Sequence, residues 1–347
     1  MKHLLKKSYY SILVLLGVVV LVFIMFQGFG DPARLIVGQT GDKKTMENIR
    51  KDLYLDLPKW KQFVLYVNDV SPISIHSKED IAKKELHGFF VGYGTKLGLK
   101  MPYLRKSYQT KKNVGTILME ALPGTLLLAI AAMIFATFAG ILLGVLAAVK
   151  KGSWLDTTAV FSSIAGISAP SFFMAIIIAF LFGVVLHPFT GLNLTGSWFD
   201  IDEVTGEKYL TLKNLILPAF TLGIRPLAII TQLTRSSMLD VMSQDYIRTA
   251  YAKGLPERTV IFRHALLNAL NPVVTAITGW FAELLAGAFF VEYIFGWRGI
   301  GKITVDALEK LDYPVVMGSV LISACIFIGI NLLADIFYGM VDPRVRN

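Results

Sequence analysis

The chain has 347 residues, of which 54% are hydrophobic and 17% charged, and its formal net charge is +9. Soluble domains carry about 25% charged residues, so this composition predicts an integral membrane protein and disfavours a soluble enzyme. The single cysteine, Cys325, excludes an internal disulfide framework. The positive charge comes without a nucleic-acid-binding motif, and it suits an anionic membrane surface instead.

Six stretches are long and apolar enough to cross a membrane, which takes about 20 residues each. They are Ser8–Gln27, Gly124–Val149, Thr158–Leu186, Leu215–Leu233, Val273–Val291 and Val315–Tyr338. The first exceeds the roughly 7–15 apolar residues of a signal peptide, and we predict that it is retained. Lysine and arginine are in excess in the flanks that lie inside when the N-terminus is inside. The sequence therefore predicts an all-α membrane protein with six transmembrane helices and cytoplasmic termini.

These spans divide the chain into four predicted parts. The parts are an N-terminal transmembrane helix (1–28), an extracytoplasmic segment (29–123), a five-helix core (124–338) with a cytoplasmic loop (234–272), and a tail (339–347). In the extracytoplasmic segment, two short helices are expected to break at Pro58, and Trp60 is expected on an apolar face. Residues 71–100 are too polar for a span. They form either a lid or docking surface for a binding protein, or a solvated insertion without a role.

Two ionisable residues fall inside predicted spans. Arg225 lies in span four beside Pro226, and Glu283 lies in span five. Charged groups at membrane depth are costly, so each is a candidate functional residue. Arg225 could attract an anionic substrate in a translocation pathway, or the two residues could form a structural pair. Both interpretations stay open at this point.

The cytoplasmic loop between spans four and five is predicted to be a helix–turn–helix. Ser243 or Asp245 is expected to cap its first helix. Gly254 suits the left-handed residue after a helix C-terminus, and Pro256 suits the first turn of the next helix.

The loop "GWRGIGKIT", Gly296–Thr304, has almost the spacing of a phosphate-binding loop. Ile303 stands where such a loop needs a hydroxyl for Mg²⁺. The loop is also predicted on the outer face, so its glycines are interpreted as a tight turn rather than a nucleotide site. The five histidines show no metal-ligand spacing, and neither a metal nor a cofactor is predicted.

At the cytoplasmic loop the sequence resembles a known family. "DYIRTAYAKGL" and "HALLNALNPVVT" are similar to the loop motif of ABC importer permeases of the oligopeptide, dipeptide and nickel branch, B-type subunit. Further similar segments follow in the same order: "GDPAR", "ALPGTLLLAIAA", "LILPAFTLG", "EYIFGWRGIGKITVDALEKLDYPVV" and "NLLADIFYGMVDPRVR". The resemblance implies the type I ABC importer permease architecture in the cell (inner) membrane.

The resemblance also implies a role for the segment Tyr246–Leu255, called the coupling segment below. In such permeases a short helix docks on a separate ATPase subunit and transmits its movement. The matching residues are Tyr246, Ile247, Arg248, Thr249, Ala250, Ala252, Lys253, Gly254 and Leu255. Tyr251 departs from the pattern, since the family often has a basic residue there.

The implied protein is a non-catalytic permease subunit that forms half of a translocation pathway for peptides. Its implied partners are a second homologous permease, two ABC ATPase subunits, an extracytoplasmic substrate-binding protein and the lipid bilayer. The alternative cargo is nickel or another small solute. A secondary transporter is the alternative mechanism, but such transporters usually show inverted repeats. A membrane-embedded hydrolase is disfavoured because its usual motifs are missing from the sequence.

Overall fold

The computed structural model describes residues 2–28, 33, 46–47, 50–51, 54–201 and 205–341. The chain divides into two compact units, Met1–Leu122 with Ile303–Cys325, and Pro123–Lys302 with Ile326–Asn347. Three predictions fall mainly outside the described residues: the "GDPAR" motif, the helix before Pro58 and the tail 339–347. The four predicted parts remain a prediction.

The first unit combines apolar helices with a small α/β segment. Its elements are α1 (Lys2–Gly28), α2 (Lys59–Val70), β1 (Ile73–Ser77), α3 (Lys78–Lys83), β2 (Gly88–Val91) and β3 (Thr95–Lys100). Three helices lie partly in this unit: α4 (Val114–Val149), α13 (Ile300–Glu309) and α14 (Tyr313–Val341). Helix α2 begins directly after Pro58, as predicted.

The sheet of the first unit is antiparallel with the order β1-β3-β2. Ile73 and Phe89 both pair with Leu99. The prediction of an all-α chain is wrong here, because apolar and polar residues alternate in β1 and β3 with the period of a strand. Gly92 and Gly94 supply the positive φ angles of the β2–β3 turn.

Packing in the first unit joins α2 to the end of α1. The rings of Phe23 and Phe63 lie 5.1 Å apart, and Tyr66 packs with them against Tyr313 and Met317. Trp60 was expected on this apolar face, but it is 65% exposed, because α2 buries Gln62, Tyr66 and Asp69 instead.

The second unit is mainly helical. Its helices are α5 (Trp154–Ser168), α6 (Ser171–Phe180), α7 (His187–Thr190), α8 (Ile216–Met242), α9 (Asp245–Ala252), α10 (Glu257–Thr259), α11 (Leu266–Gly287) and α12 (Phe289–Ile294). A hairpin of β4 (Phe199–Ile201) and β5 (Lys208–Leu210) lies before α8. Helix α6 continues as a π-helical turn, Leu181–Val185, and a second π-helical turn, Val260–Ala265, precedes α11.

Several of these helices are long and apolar enough to cross a membrane. Among the described residues, four pass on their own: Val114–Val149, Leu212–Met242, Glu257–Leu285 and Tyr313–Ala334. The bent pair α5 and α6 passes as a fifth, and α1 contains a shorter apolar stretch, Tyr9–Met25. The multi-span character is confirmed, whereas the number six and the orientation remain predictions.

The predicted third span is not one helix. Helices α5 and α6 meet at an angle of 109°. Pro170 lacks a backbone N–H, and the residue before it, Ala169, is extended with ψ of 131°. Along α8, the Asp156 carboxylate pairs with Arg235, and Gly166 lies against Ile224 and Ala228. Beyond α6, the Asn193 amide donates to Asn214 at 2.9 Å. The broken pair and the segment after it therefore follow α8 from one end to the other.

Candidate functional site

Helix α9 is held by its apolar side. Ile247 is 2% exposed and Ala250 is also buried. They pack in a cluster with side chains from α4, α8, the second π-helical turn and α11: Val145, Ala148, Met238, Val260, Ile261, Ala265 and Ala269. Because the cluster draws on three long apolar helices, a displacement of α9 would be transmitted to those helices.

The opposite side of α9 is exposed and polar. Six residues of the coupling segment are exposed on this side: Tyr246, Arg248, Thr249, Tyr251, Ala252 and Lys253. The side chain of Tyr246 is also held in place by α11, because the Asn268 amide donates to its hydroxyl oxygen at 3.1 Å. Arg248 and Asp245 approach to 3.6 Å, but both are so exposed that this pair contributes little. The exposed side offers aromatic and basic groups to a partner.

The end of α9 is the glycine turn that the sequence predicts. Gly254 has a φ of +74°. Its N–H donates to the Tyr251 carbonyl at 2.9 Å, and the Leu255 N–H donates to the Ala250 carbonyl at 3.3 Å. This pair of bonds is a Schellman motif. A Cβ at Gly254 would meet nothing within 4 Å, so the backbone conformation alone demands glycine there.

The predicted caps of α9 are wrong. The N-cap position is occupied by Gln244, and its side chain does not cap the helix. The Ser243 hydroxyl instead donates to the Asp240 carbonyl at the end of α8, at 2.8 Å. A serine at a helix end can bond backward as well as forward, and here only two residues separate the helices.

Sequence reasoning overlooked an ion pair near this loop. Arg235 of α8 donates to both carboxylate oxygens of Asp156, with Nη2 at 2.8 Å from Oδ2. Asp156 also accepts from the Gly152 N–H at 2.9 Å. The signal in the sequence is "SWLD", in which Ser153 and Asp156 have the spacing of a capping box. This bidentate pair braces the end of α8 from which the loop departs.

Arg225 and Glu283 are not paired among the described residues. The Arg225 guanidinium instead lies 5.8 Å from the centre of the Trp280 ring, and its Nε is buried without a hydrogen-bond partner. Glu283 is exposed. The structure therefore supplies no direct bond for the structural-pair interpretation.

The loop "GWRGIGKIT" does hold an acidic group, and that group belongs to the chain itself. Glu292 of α12 is fully buried. Its carboxylate accepts from the Thr125 hydroxyl at 2.8 Å and from the Lys302 N–H at 3.1 Å. Thr125 in turn accepts from the Ile300 N–H at 2.8 Å. The loop thus surrounds a carboxyl group of the chain itself, and sequence reasoning did not find this contact.

Close approach explains two glycines of this loop. A Cβ at Gly299 would lie 2.4 Å from a Glu292 carboxylate oxygen, and a Cβ at Gly301 would lie 2.6 Å from the Phe289 Cα. Burial raises the pKa of Glu292 to about 7, although its hydrogen bonds to Thr125, Lys302 and Gly301 act in the opposite direction. The Trp297 indole donates to the Gly124 carbonyl at 2.8 Å and closes the site on another side.

Comparison with known proteins identifies the family. Residues 140–347 match the family of binding-protein-dependent transport system inner membrane components, and residues 1–129 match its N-terminal model. The chain belongs to this family. It is therefore a permease component of a transport system, without catalytic activity of its own, and the family implies separate ATPase and binding-protein partners.

Curated relatives of this permease extend over nearly its whole length. The dipeptide transport system permease protein DppB of Escherichia coli K12 is 39% identical over 335 residues, covering 92% of this chain and 90% of that protein. The DppB of Haemophilus influenzae is 44% identical over 255 residues, covering 70% and 76%. The oligopeptide transport system permease protein AppB of Bacillus subtilis is 34% identical and covers 99% of both.

A solved structure shares the fold of the permease. It is the MetNI methionine ABC transporter in an inward-facing conformation, with a TM-score of 0.50 and 17% identity. The match covers 66% of this chain and 97% of that one. At this identity the likeness concerns the fold alone.

Proposed function

We propose that this permease is the B-type subunit of an ATP-driven peptide importer in the inner membrane. It pairs with a second, homologous permease, and each lines half of the translocation pathway. The observation that carries this proposal is the family membership together with relatives named dipeptide and oligopeptide permeases at 34–44% identity.

The coupling segment connects this permease to the ATPase subunits. Its nine matching residues, Tyr246–Ala250 and Ala252–Leu255, form one exposed helix and its turn. The buried side chains of Ile247 and Ala250 attach the helix to three apolar helices. A push on the exposed side would reach those helices as a rigid-body movement, which is what a switching element requires.

Six transmembrane helices with cytoplasmic termini complete the proposal. The bent pair α5 and α6 counts as one crossing, because α5 contacts α8 at Arg235 and the segment after α6 contacts Asn214, just before α8. With α1 and the four long helices, this gives six. Both ends of the chain then face the same side as the coupling segment.

Arg225 is proposed to lie in the pathway. Its Nε has no hydrogen-bond partner, and the guanidinium rests over Trp280. A guanidinium whose donors are not all used can bind a carboxylate, which every peptide carries at its C-terminus. Glu283, exposed on α11, is the second pathway candidate and would suit a peptide ammonium.

Uptake by cells that lack this gene tests the function. Uptake of a labelled dipeptide should fall, and expression of the chain should restore it, whereas labelled nickel uptake should not change. If nickel uptake falls and dipeptide uptake does not, the peptide assignment fails. If uptake survives ATP depletion but stops with an uncoupler, the permease acts in a secondary transporter.

Arg225→Gln should reduce uptake without reducing the amount of assembled complex.

A further inference from the structure

The sheet of the first unit has an apolar face that the described residues leave uncovered. Six alternate residues form it, two from each strand: Ile73, Ile75, Phe89, Val91, Leu97 and Leu99. Each of these six side chains is at least 57% exposed. The register aligns them in two cross-strand rows, Ile73–Leu99–Phe89 and Ile75–Leu97–Val91. This set is called the apolar sheet face.

The other face of the sheet carries three buried polar residues beside the half-buried Phe90. Ser74, His76 and Lys100 point inward and are at most 4% exposed. The Lys100 ammonium donates to the carbonyl oxygens of Asp69 and Ser71. The sheet is fixed to α2 in this orientation, because the Asn68 amide bonds to both the N–H and the carbonyl of Ile75 at 2.8 Å. A rotation that turned the apolar side chains inward would break these bonds and expose the polar groups that they satisfy.

Six adjacent exposed apolar side chains are more stable against a non-aqueous neighbour than against water. Soluble monomers rarely expose contiguous apolar patches larger than a few hundred Å². The six side chains contain no hydrogen-bond donor or acceptor. Protein interfaces carry about one hydrogen bond per 100–200 Å², whereas hydrocarbon chains require none. The chemistry of the face therefore fits lipid better than a protein partner.

The apolar sheet face continues into a surface at membrane depth. Met101 extends the alternation of Leu97 and Leu99 and is 78% exposed. It also lines a cavity of about 830 Å³ together with Leu15 and Val19 of α1 and Leu321 of α14. Leu15 and Val19 lie in the middle of the apolar stretch Tyr9–Met25. A mainly apolar surface, which also includes Glu85, His87 and Glu120, thus runs from the sheet to the side of a predicted membrane span.

We propose that the apolar sheet face and this cavity bind lipid of the outer leaflet. Tyr93, fully exposed at the tip of the β2–β3 turn, would lie at the level of the headgroups, where tyrosine is enriched. Exposed Lys78 and Lys83 of α3 suit anionic headgroups. The segment 71–100 is then a membrane-surface anchor. This inference rests on the extracytoplasmic placement of the first unit, which is part of the proposed function.

Spin labels on the full chain test the proposal. In a Cys325→Ser background, single cysteines are placed at Phe89, Leu97 and Leu99, with Glu79→Cys on exposed α3 as the matched control. The labelled chain is reconstituted in nanodiscs of phosphatidylethanolamine and phosphatidylglycerol. Collisions with oxygen, which concentrates in lipid, are compared with collisions with a water-soluble nickel chelate. We expect a several-fold higher oxygen-to-nickel ratio at the three sheet positions than at position 79.

Other outcomes would overturn the proposal. Equal ratios at all four positions would mean that the sheet faces water. Labels that are immobilised and shielded from both reagents would mean that a second copy or another protein covers the face. A membrane-impermeant maleimide on intact cells separately tests the side of the membrane. If Glu79→Cys reacts only after permeabilisation, the topology is wrong and the outer-leaflet assignment falls with it, whatever the lipid contact.

Discussion

The coupling segment and the sheet of the first unit are both amphipathic. The coupling segment buries its apolar side, whereas the sheet buries its polar side. Helix α9 buries Ile247 and Ala250 and exposes Arg248 and Lys253. The sheet buries His76 and Lys100 and exposes six apolar side chains. Separation of apolar and polar residues onto two faces therefore accompanies a docked helix in one place and an outward apolar surface in the other.

The difference shows that amphipathicity identifies two faces without telling which one lies inside. In α9 the apolar face meets other helices of the same chain, and the polar face is left for water or a partner. Beneath the inward side of the sheet lies the buried carboxylate of Asp69 in α2. It accepts a hydrogen bond from the Lys84 ammonium at 2.6 Å. An apolar face can remain outside only where its surroundings are apolar too, and the membrane provides such surroundings.

The largest effect is expected from a charge placed on the buried side of α9. Ile247→Asp would put a carboxylate into the apolar cluster and destabilise its packing by about 4 kcal/mol. The ATPase subunits should then no longer co-purify with the permease. The matched control is Thr249→Asp on the exposed side, which should change stability by less than about 0.5 kcal/mol. Equal losses of stability in both variants would contradict the assignment of the two sides, whereas a loss of co-purification without a loss of stability in Thr249→Asp would place that residue in the docking surface.

The mirror-image change removes a buried charge of α2 beneath the polar side of the sheet. Asp69→Leu would leave the ammonium of Lys84 without its partner, with an expected loss of about 3 kcal/mol. Hydrogen exchange of β1 and β3 in the full chain should accelerate strongly. Glu85→Leu, which breaks the exposed pair with Lys106, is the control and should cost at most about 1 kcal/mol. Unchanged exchange in Asp69→Leu would show that the polar side does not hold the sheet.

The buried carboxyl group of Glu292 predicts a pH dependence of stability for the second unit. The pKa of its carboxyl rises from the ordinary 4.5 to about 7 on folding. Between these values the folded protein binds the extra proton. The stabilisation is therefore full below the ordinary pKa and is lost as pH rises through 7. From roughly pH 5 to pH 7 the loss should be on the order of 2 kcal/mol. Thermal unfolding in detergent should show it in the wild type and not in Glu292→Gln. Identical pH profiles would rule out this role.

The smallest loss of stability is expected at the turn after α9, because a substitution there strains the backbone without causing a steric clash with a neighbour. Gly254→Val should cost on the order of 1–2 kcal/mol, because a branched residue is strained at positive φ. Gly152→Val is the matched control, since Gly152 also has a φ of +75° and open space around it. Both variants should insert normally, but only Gly254→Val should reduce ATPase co-purification and coupled uptake. Normal coupled uptake by Gly254→Val would mean that this turn does not set the position of the coupling segment.

The sequence by itself determined the features that depend only on residues close to one another along the chain. Runs of apolar residues predicted the long helices, since about 20 such residues cross a membrane whatever their order. Gly254 predicted its left-handed turn, because only glycine adopts that conformation without steric cost. The nine residues of the coupling segment stand together in one short stretch, so their likeness to a family could be read directly.

Tertiary structure decided which groups meet across long distances in the chain. Asp156 and Arg235 are 79 residues apart, and Thr125 and Glu292 are 167 apart. The sequence shows no period or motif for Thr125 and Glu292, and the capping-box spacing of Ser153 and Asp156 does not identify Arg235 as the partner. The inward side of the sheet was also undetermined, because burial depends on the position of Asp69 and Lys84 on other elements. Local conformation follows from local sterics, whereas the pairing of buried polar groups follows from the packing of elements, and that packing exists only in the folded chain.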